Sequence, residues 1–364
     1  MIVAGMGQKD REAVRSERVR LTIVALSAVL GLQLLRVFFP LVAFYLRVLA
    51  DRGIYGVIPW ALAPFVFSLG ALALLRAMGP RGLVAFGAGG LVAARLLEQV
   101  SVNSAFDLAA AFVGVMFFLW LVAALLSVTG RAFASGILLG LALDTALKGA
   151  ATTLDLSWIK ATWPLLVVTL AVVSLGYLVY AHVPHLPDAA GWNLRAGMPL
   201  VGIGPWLFLQ LLILQNQGWL ATATGWPAWA TLLWIGVGNI GALALGLRGP
   251  SQRGPVAASG IVLLGVSALS GVGGWVFALL ALLGLAMSGV WLVGVTSGSE
   301  IGSPPTGTAA LLGVSNILFV GLALFYYLPL QLDLPLSSHQ VVLLAGLLVA
   351  IVGLSVAGGR ERRG

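Results

Sequence analysis

The sequence predicts an all-α protein that crosses a membrane about twelve times, and three features lead to that prediction. Of its 364 residues, 60% are hydrophobic and only 9% are charged, against roughly 25% charged residues in a soluble domain. Apolar runs long enough to span a bilayer, about 17 to 25 residues, recur along the whole chain. The segments that connect these runs also differ in basic charge, and that difference sets an orientation.

Taken in order, the apolar runs give twelve predicted helices, of which the ninth is the shortest. They lie near 21–46, 53–75, 82–101, 105–128, 132–154, 163–182, 197–217, 228–247, 255–270, 273–296, 307–328 and 339–357. The corresponding domains are a cytoplasmic tail over 1–20, a six-helix bundle over 21–182, a cytoplasmic linker over 183–196, a second six-helix bundle over 197–357 and a basic cytoplasmic tail over 358–364.

The 20 basic residues orient these helices. With the N-terminus inside the cell, 14 of them fall in inner segments, three in outer segments and three within helices. An excess on the inner side is what the positive-inside rule requires. We therefore expect both termini in the cytoplasm and the helices in the plasma or inner membrane. The net charge of +8 follows from this topology, so we expect no nucleic acid among the partners.

A short segment recurs about half a chain apart. The run GALAL begins at Gly70 and again at Gly241, and each copy precedes a basic turn rich in glycine and proline. The recurrence indicates two duplicated six-helix halves. The alternative is coincidence, because helices rich in alanine, leucine and glycine match one another easily.

With two parallel halves and a longer inner connection, the chain resembles the major facilitator superfamily. The loop after the second predicted helix repeats that family's glycine and basic pattern at Gly70, Arg76, Gly79 and Arg81. The acidic residue that this loop normally carries is missing, since no acid occurs between Asp51 and Glu98. The resemblance implies the fold of the family and the function of a transporter.

The fifth predicted helix carries charges in the middle of its span. Asp144 and Lys148 are four residues apart, with the acid first, which is the favourable order for a pair on one helical face. A charge at the centre of a bilayer costs roughly 2.5 to 3.5 kcal/mol on insertion scales, so such residues usually face a protein-lined interior. Two interpretations follow: a self-neutralising pair that steadies the bundle, or part of a solute site.

Other intramembrane polar residues favour the solute site. Counting 1.5 Å per residue from the inner helix ends places Arg36, Arg95 and Lys148 at similar depth, and Glu98 follows Arg95 by three residues. Because Glu98 neutralises Arg95 and Asp144 neutralises Lys148, one cation, Arg36, remains. The predicted substrate-binding residues are therefore Arg36, Gln33, Arg95, Glu98, Asp144 and Lys148.

The guanidinium of Arg36 suits a carboxylate or phosphate and keeps its charge, so we expect the site to accept an anionic group with help from Gln33. The alternative is that Asp107 or a backbone carbonyl already satisfies Arg36. The second half has no charge within its spans. Its amides either line the opposite wall of a cleft or only bond to neighbouring helices; they are Gln210, Gln215, Asn216, Asn239 and Asn316.

A second resemblance involves three short segments, 35–41, 94–99 and 141–158. They look like the membrane portion of bacterial proteins with an endonuclease/exonuclease/phosphatase-like domain, which are related to proteins that remodel GPI-anchor lipids. That catalytic domain is missing from this chain. The resemblance implies an alternative function, a non-transporting membrane module that handles lipid for, or assembles with, a separate phosphodiesterase-like enzyme.

No pattern of residues predicts an enzyme, a metal site or a cofactor. The chain has no cysteine, and Pro184 between His182 and His185 spoils helical ligand geometry. The glycine runs at 87–90 and 270–274 lack the strand, helix and downstream acid of a dinucleotide site. The expected partners are membrane lipids and a small or lipid-like solute.

Overall fold

The computed structural model describes residues 8–100, 104–128 and 130–153, together with short stretches at 225–227, 229–230, 232–233, 236–237, 239–240, 314 and 317–321. Three long helices result: α1 (Gln8–Val100), α2 (Ser104–Val128) and α3 (Gly130–Thr153). Apart from the turn at 225–227, every described residue is helical. The described part of the chain is thus all-α, as the sequence predicts.

Although its backbone is helical throughout, α1 is not one straight rod. The hydroxyl of Tyr45 donates a hydrogen bond of 3.2 Å to the carbonyl of Trp60, whereas fifteen residues of straight helix would span about 22 Å. Gly53, between them, has a φ of 65°, in the left-handed region that glycine adopts without steric cost. The chain therefore reverses at Gly53, and we call residues 8–52 α1a.

A second reversal follows further along α1. Phe67 and Phe86 both pack against Trp120, with ring centroids 4.4 and 5.9 Å away. Nineteen residues of straight helix would hold the two phenylalanines about 28 Å apart. The chain thus turns back between 67 and 86, and α1 contains three antiparallel segments: α1a, α1b (54–67) and α1c (86–100).

The expected connections near 46–53 and 75–82 coincide with the two reversals, but the backbone is helical through both, and α1 begins at Gln8, ahead of the expected start at 21. Charged residues interrupt the apolar runs there, but charge marks where a span leaves the membrane, not where backbone hydrogen bonding stops. The exposed start of α1 carries a pair of its own, with Arg20 Nη2 3.0 Å from Glu17 Oε1.

The other described boundaries are confirmed. The predicted helices at 105–128 and 132–154 correspond to α2, Ser104–Val128, and α3, Gly130–Thr153. α3 is also long and apolar enough over Ala132–Ala150 to cross a membrane. Shorter apolar stretches of the described chain lie in α1a, α1c and α2.

Two aromatic clusters join α2 to α1. Phe112 of α2 packs against Phe44 and Trp60, with ring centroids 5.2 Å away in both cases. One to two turns further along, Phe117 and Trp120 of α2 pack against Phe67 and Phe86, the rings that flank the second reversal. The order of these contacts makes α2 antiparallel to α1a and α1c.

Small residues let α3 pack tightly against α1a. A Cβ at Gly136 would collide with the carbonyl of Val24, and one at Gly140 with the carbonyl of Ala28. Both pairs advance by four residues in the same direction, so the helices are parallel. Backbones that approach this closely depend on glycine, which is a common device in membrane helix packing.

Large apolar side chains cover the outside of the described bundle. Tyr55 is 84% exposed and Val66 is 63% exposed. Exposed apolar surface of this kind is typical of a protein whose outer face contacts lipid rather than water.

Candidate functional site

The charges of α3 form an ion pair inside the protein. Lys148 Nζ lies 2.5 Å from Asp144 Oδ2, and the bond spans one helical turn. Asp144 is completely buried, whereas the side chain of Lys148 is 38% exposed. The predicted pairing on one helical face is confirmed. The partners differ in environment, because the acid has no contact with solvent and the base does.

The ion pair satisfies one oxygen of the buried carboxylate of Asp144. Among the described residues, Asp144 Oδ1 has no hydrogen-bond partner. An ionised carboxylate offers about four lone-pair sites, and a buried oxygen without a partner is costly. A pair that only steadied the bundle would be expected to satisfy both oxygens. The role of Asp144 in a solute site stays a prediction.

Thr145, the residue after Asp144, contacts the second half of the chain. The hydroxyl of Thr145 donates to the carbonyls of Leu141 and Ala142, at 3.1 and 3.0 Å, so it adds nothing to the carboxylate. On its other side, a Cβ at Gly236 would lie 2.9 Å from that hydroxyl. Thr145 is thus a packing residue with its hydrogen bond satisfied inside α3.

The parallel packing of α1a and α3 sets which positions share a level. Val24 lies against Gly136 and Ala28 against Gly140, an offset of 112 residues in both cases. Two further turns of regular helix at this offset bring position 36 level with Lys148. The backbones of position 36 and Lys148 therefore lie at the same level, as the count of residues from the inner helix ends predicts. This agreement concerns the backbone alone.

The predicted roles of Gln33, Arg36, Arg95 and Glu98 in the site stay predictions. The backbones of these four residues belong to α1, but their side chains lie outside the described residues, as does the side chain of Asp107 in α2. Ala94, the neighbour of position 95, faces Gly114 of α2. Gly114 is close in sequence to Phe112, which contacts Phe44 of α1a. The backbone of position 95 is therefore nearer to the level of Phe44 than to that of position 36.

The described helical residues of the second half, 229–230, 232–233, 236–237 and 239–240, pack antiparallel to α3. A Cβ at Gly149 would lie 3.2 Å from the carbonyl of Trp229, while Gly236 meets Thr145 further back along α3. Between these helices glycine again permits the close approach. A polar residue of this second-half stretch, Asn239, is only 1% exposed.

Asn239 has unsatisfied hydrogen-bonding groups. Neither its Nδ2 nor its Oδ1 finds a partner within the described part of the protein. The sequence singled out Asn239 only as one of five amides, with bonding to a neighbouring helix as an alternative. Among the described residues, Asn239 makes no such hydrogen bond to a neighbouring helix. The other four amides lie outside the described residues.

Metal-binding and catalytic groups are sparse around the pair. Among the described residues, no group of three or more His, Asp or Glu side chains could hold a metal ion. The three histidines of the chain lie outside them.

Solved structures resemble the chain over nearly its full length. The proton:xylose symporter XylE matches with a TM-score of 0.67 and 13% identity, covering 93% of this chain and 94% of its own. The human organic anion transporter MFSD10 matches with a TM-score of 0.60 and 15% identity, over 93% and 99%. The fucose:proton symporter FucP of E. coli gives 0.59 and 12%, over 93% and 98%. All three are major facilitator superfamily transporters.

These similarities establish the fold. The described part of the chain is all-α, and the chain shares the fold of the twelve-helix transporters of the major facilitator superfamily. No family model and no curated protein sequence matches it. The comparisons give no support to the resemblance to membrane proteins with an endonuclease/exonuclease/phosphatase-like domain.

Proposed function

We propose that this protein is a membrane transporter that carries a small or lipid-like solute, with an anionic group, through a site beside α3. The observation that supports the proposal best is the buried carboxylate of Asp144, which is paired with Lys148 through one oxygen and has no partner among the described residues at the other. A fold shared with transporters makes solute binding a natural use of such a site, and the organic anion transporter MFSD10 is one of its structural neighbours.

The preference for an anion rests on the charges of the spans. Within its predicted helices the chain has three cations, Arg36, Arg95 and Lys148, and two anions, Glu98 and Asp144. Lys148 is held by Asp144, and the spacing of Arg95 and Glu98 suits a pair. Arg36 is left to bind the solute, and its planar guanidinium binds a carboxylate or phosphate through two parallel hydrogen bonds.

Binding at this site involves groups from both halves of the chain. We assign the halves to 21–182 and 197–357, joined by an inner linker, with both termini in the cytoplasm and the protein in the plasma or inner membrane. Lipids then contact only the outer surface, where side chains such as Tyr55 are exposed.

The proposal is tested by solute flux in proteoliposomes. Purified wild-type protein is reconstituted, and uptake of labelled organic phosphates and carboxylates is compared with uptake by the Arg36→Gln variant. Since a hydrogen bond to a charged group contributes about 1.5 to 3 kcal/mol, the variant should bind its anion roughly 10- to 150-fold more weakly.

The matched control is Arg20→Gln, the same substitution at an exposed arginine that pairs with Glu17 at 3.0 Å. Its flux should equal that of the wild type. Full anion affinity in Arg36→Gln would refute the assignment of Arg36. Saturable lipid binding without flux of any solute would instead favour the non-transporting membrane module.

A further inference from the structure

Near the contact between α3 and the described helical residues of the second half, three polar atoms are buried without a described hydrogen-bond partner. They are Asp144 Oδ1, Asn239 Nδ2 and Asn239 Oδ1, and none has a hydrogen-bond partner among the described residues. Buried side-chain polar atoms nearly always have a partner in native proteins, so each exception requires an explanation. Here the exceptions come from both halves of the chain, one residue from each.

The two residues belong to helices that touch. Asp144 is the chain neighbour of Thr145, and Asn239 follows Gly236 by about one helical turn. Because a Cβ at Gly236 would lie 2.9 Å from the hydroxyl of Thr145, chain geometry limits the Cα atoms of Asp144 and Asn239 to a separation of roughly 15 Å or less. A ligand pocket of ordinary size, on the order of 300 Å³ or more, is wide enough for one solute to reach both.

The chemistry of these atoms selects what binds to them. An ionised carboxylate oxygen only accepts hydrogen bonds, whereas the amide of Asn239 both donates and accepts. An anionic oxygen would be repelled by Asp144. A second ammonium group is also disfavoured, because Lys148 already lies 2.5 Å from the other oxygen of the same carboxylate. A hydroxyl group, which donates and accepts at once, suits all three atoms.

We infer that Asp144 and Asn239 bind hydroxyl groups of the solute. The inference rests on the proposed function, in which Arg36 holds the anionic group, and it extends that function by naming the substrate class. The transported solute is a hydroxylated anion, such as a polyol phosphate, with its hydroxyls on Asp144 Oδ1 and Asn239. A plain alkyl phosphate of equal charge and length lacks those bonds.

Matched compounds test the inference on purified wild-type protein. Equilibrium binding of glycerol 3-phosphate is compared with that of propyl phosphate, and binding of a hexitol phosphate with that of hexyl phosphate. Each pair has the same headgroup and chain length, and its members differ only in hydroxyls. The hydroxylated member should bind at least about tenfold more tightly, because it alone satisfies the charged acceptor.

Substitution of Asn239 then localises the preference. Asn239→Leu removes both amide atoms at similar volume, so it should reduce the preference for hydroxylated compounds by about two- to tenfold, the contribution of a neutral hydrogen bond, while the contribution of Asp144 remains. The thermal midpoint of the empty protein should stay equal or rise, since an apolar group replaces an unsatisfied polar one. Ser27→Ala is the control: Ser27 is also buried with an unsatisfied hydroxyl, but it lies beside Gly136, two turns from Asp144.

The outcomes separate this inference from the proposed function. Equal affinity within each pair, binding of neither member, or an unchanged preference in Asn239→Leu would overturn the hydroxyl assignment. A preserved hydroxyl preference together with undiminished phosphate binding in Arg36→Gln would overturn the anion assignment alone. The comparison on wild-type protein needs no variant, so it remains decisive if Asn239→Leu does not fold.

Discussion

Replacing Lys148 by methionine isolates the carboxylate of Asp144 inside the protein. Asp144 is completely buried, and its only described side-chain bond is the one to Lys148. After Lys148→Met neither oxygen has a described partner. Methionine fills a similar volume without charge, so the change removes the interaction and little else.

The expected magnitudes follow from the different burial of the two partners. Removing one member of a buried pair costs about 3 to 5 kcal/mol when the other charge stays buried, which is the case for Lys148→Met. Asp144→Leu should cost about 1 kcal/mol or less. The side chain of Lys148 is 38% exposed, and its ammonium keeps contact with solvent, which screens the lost attraction. The double variant should be close to wild type, because an apolar pair replaces a costly ionic one.

A double-mutant cycle on thermal stability in detergent measures the coupling. Lys148→Met should lower the unfolding midpoint on the order of 5 °C, and adding Asp144→Leu should restore most of that loss. The control cycle uses Arg47→Met and Asp51→Leu, an exposed pair at the same spacing with a distance of 3.8 Å, where coupling should stay below about 0.5 kcal/mol. Additive effects of the two α3 substitutions would refute the reasoning, and would mean that Lys148 depends on another partner.

Two further predictions concern topology and helix packing. This chain has no cysteine, so single cysteines can report the topology. An impermeant thiol reagent on intact cells should label the outer positions, Ser157→Cys and Thr222→Cys, and spare the inner positions, Gly79→Cys and Ser251→Cys. The reverse labelling pattern would mean that the topology is inverted. Gly140→Leu should destabilise the protein by about 1 to 3 kcal/mol or more, because its side chain meets the backbone of Ala28. Gly89→Leu, where a Cβ meets nothing within 4 Å, should leave the thermal midpoint unchanged, and equal losses in both variants would contradict the proposed packing.

The sequence predicted the ion pair of the candidate site but not its surroundings. Asp144 and Lys148 are neighbours on any α-helix, so their bond follows from local geometry alone. Nothing local distinguishes Asn239 from the other amides of the second half. Its burial depends on the packing of the described residues between 229 and 240 against α3, and that packing depends on Gly149 and Gly236, which are far apart in the sequence.

Composition, span length and the distribution of basic residues determined from the sequence that this chain is an all-α membrane protein of about twelve helices. These properties are set by the bilayer, which demands apolar segments of a certain length and internally bonded backbones whatever the tertiary structure. The ends of α2 and α3 followed within a few residues. Only the tertiary structure revealed the features that depend on contacts between distant segments. These are the reversals within α1, the parallel packing of α1a on α3, and the carboxylate oxygen of Asp144 that has no partner among the described residues. Hydrophobicity does not encode such contacts, because in lipid every apolar face is equally acceptable and close packing between small residues selects the partner.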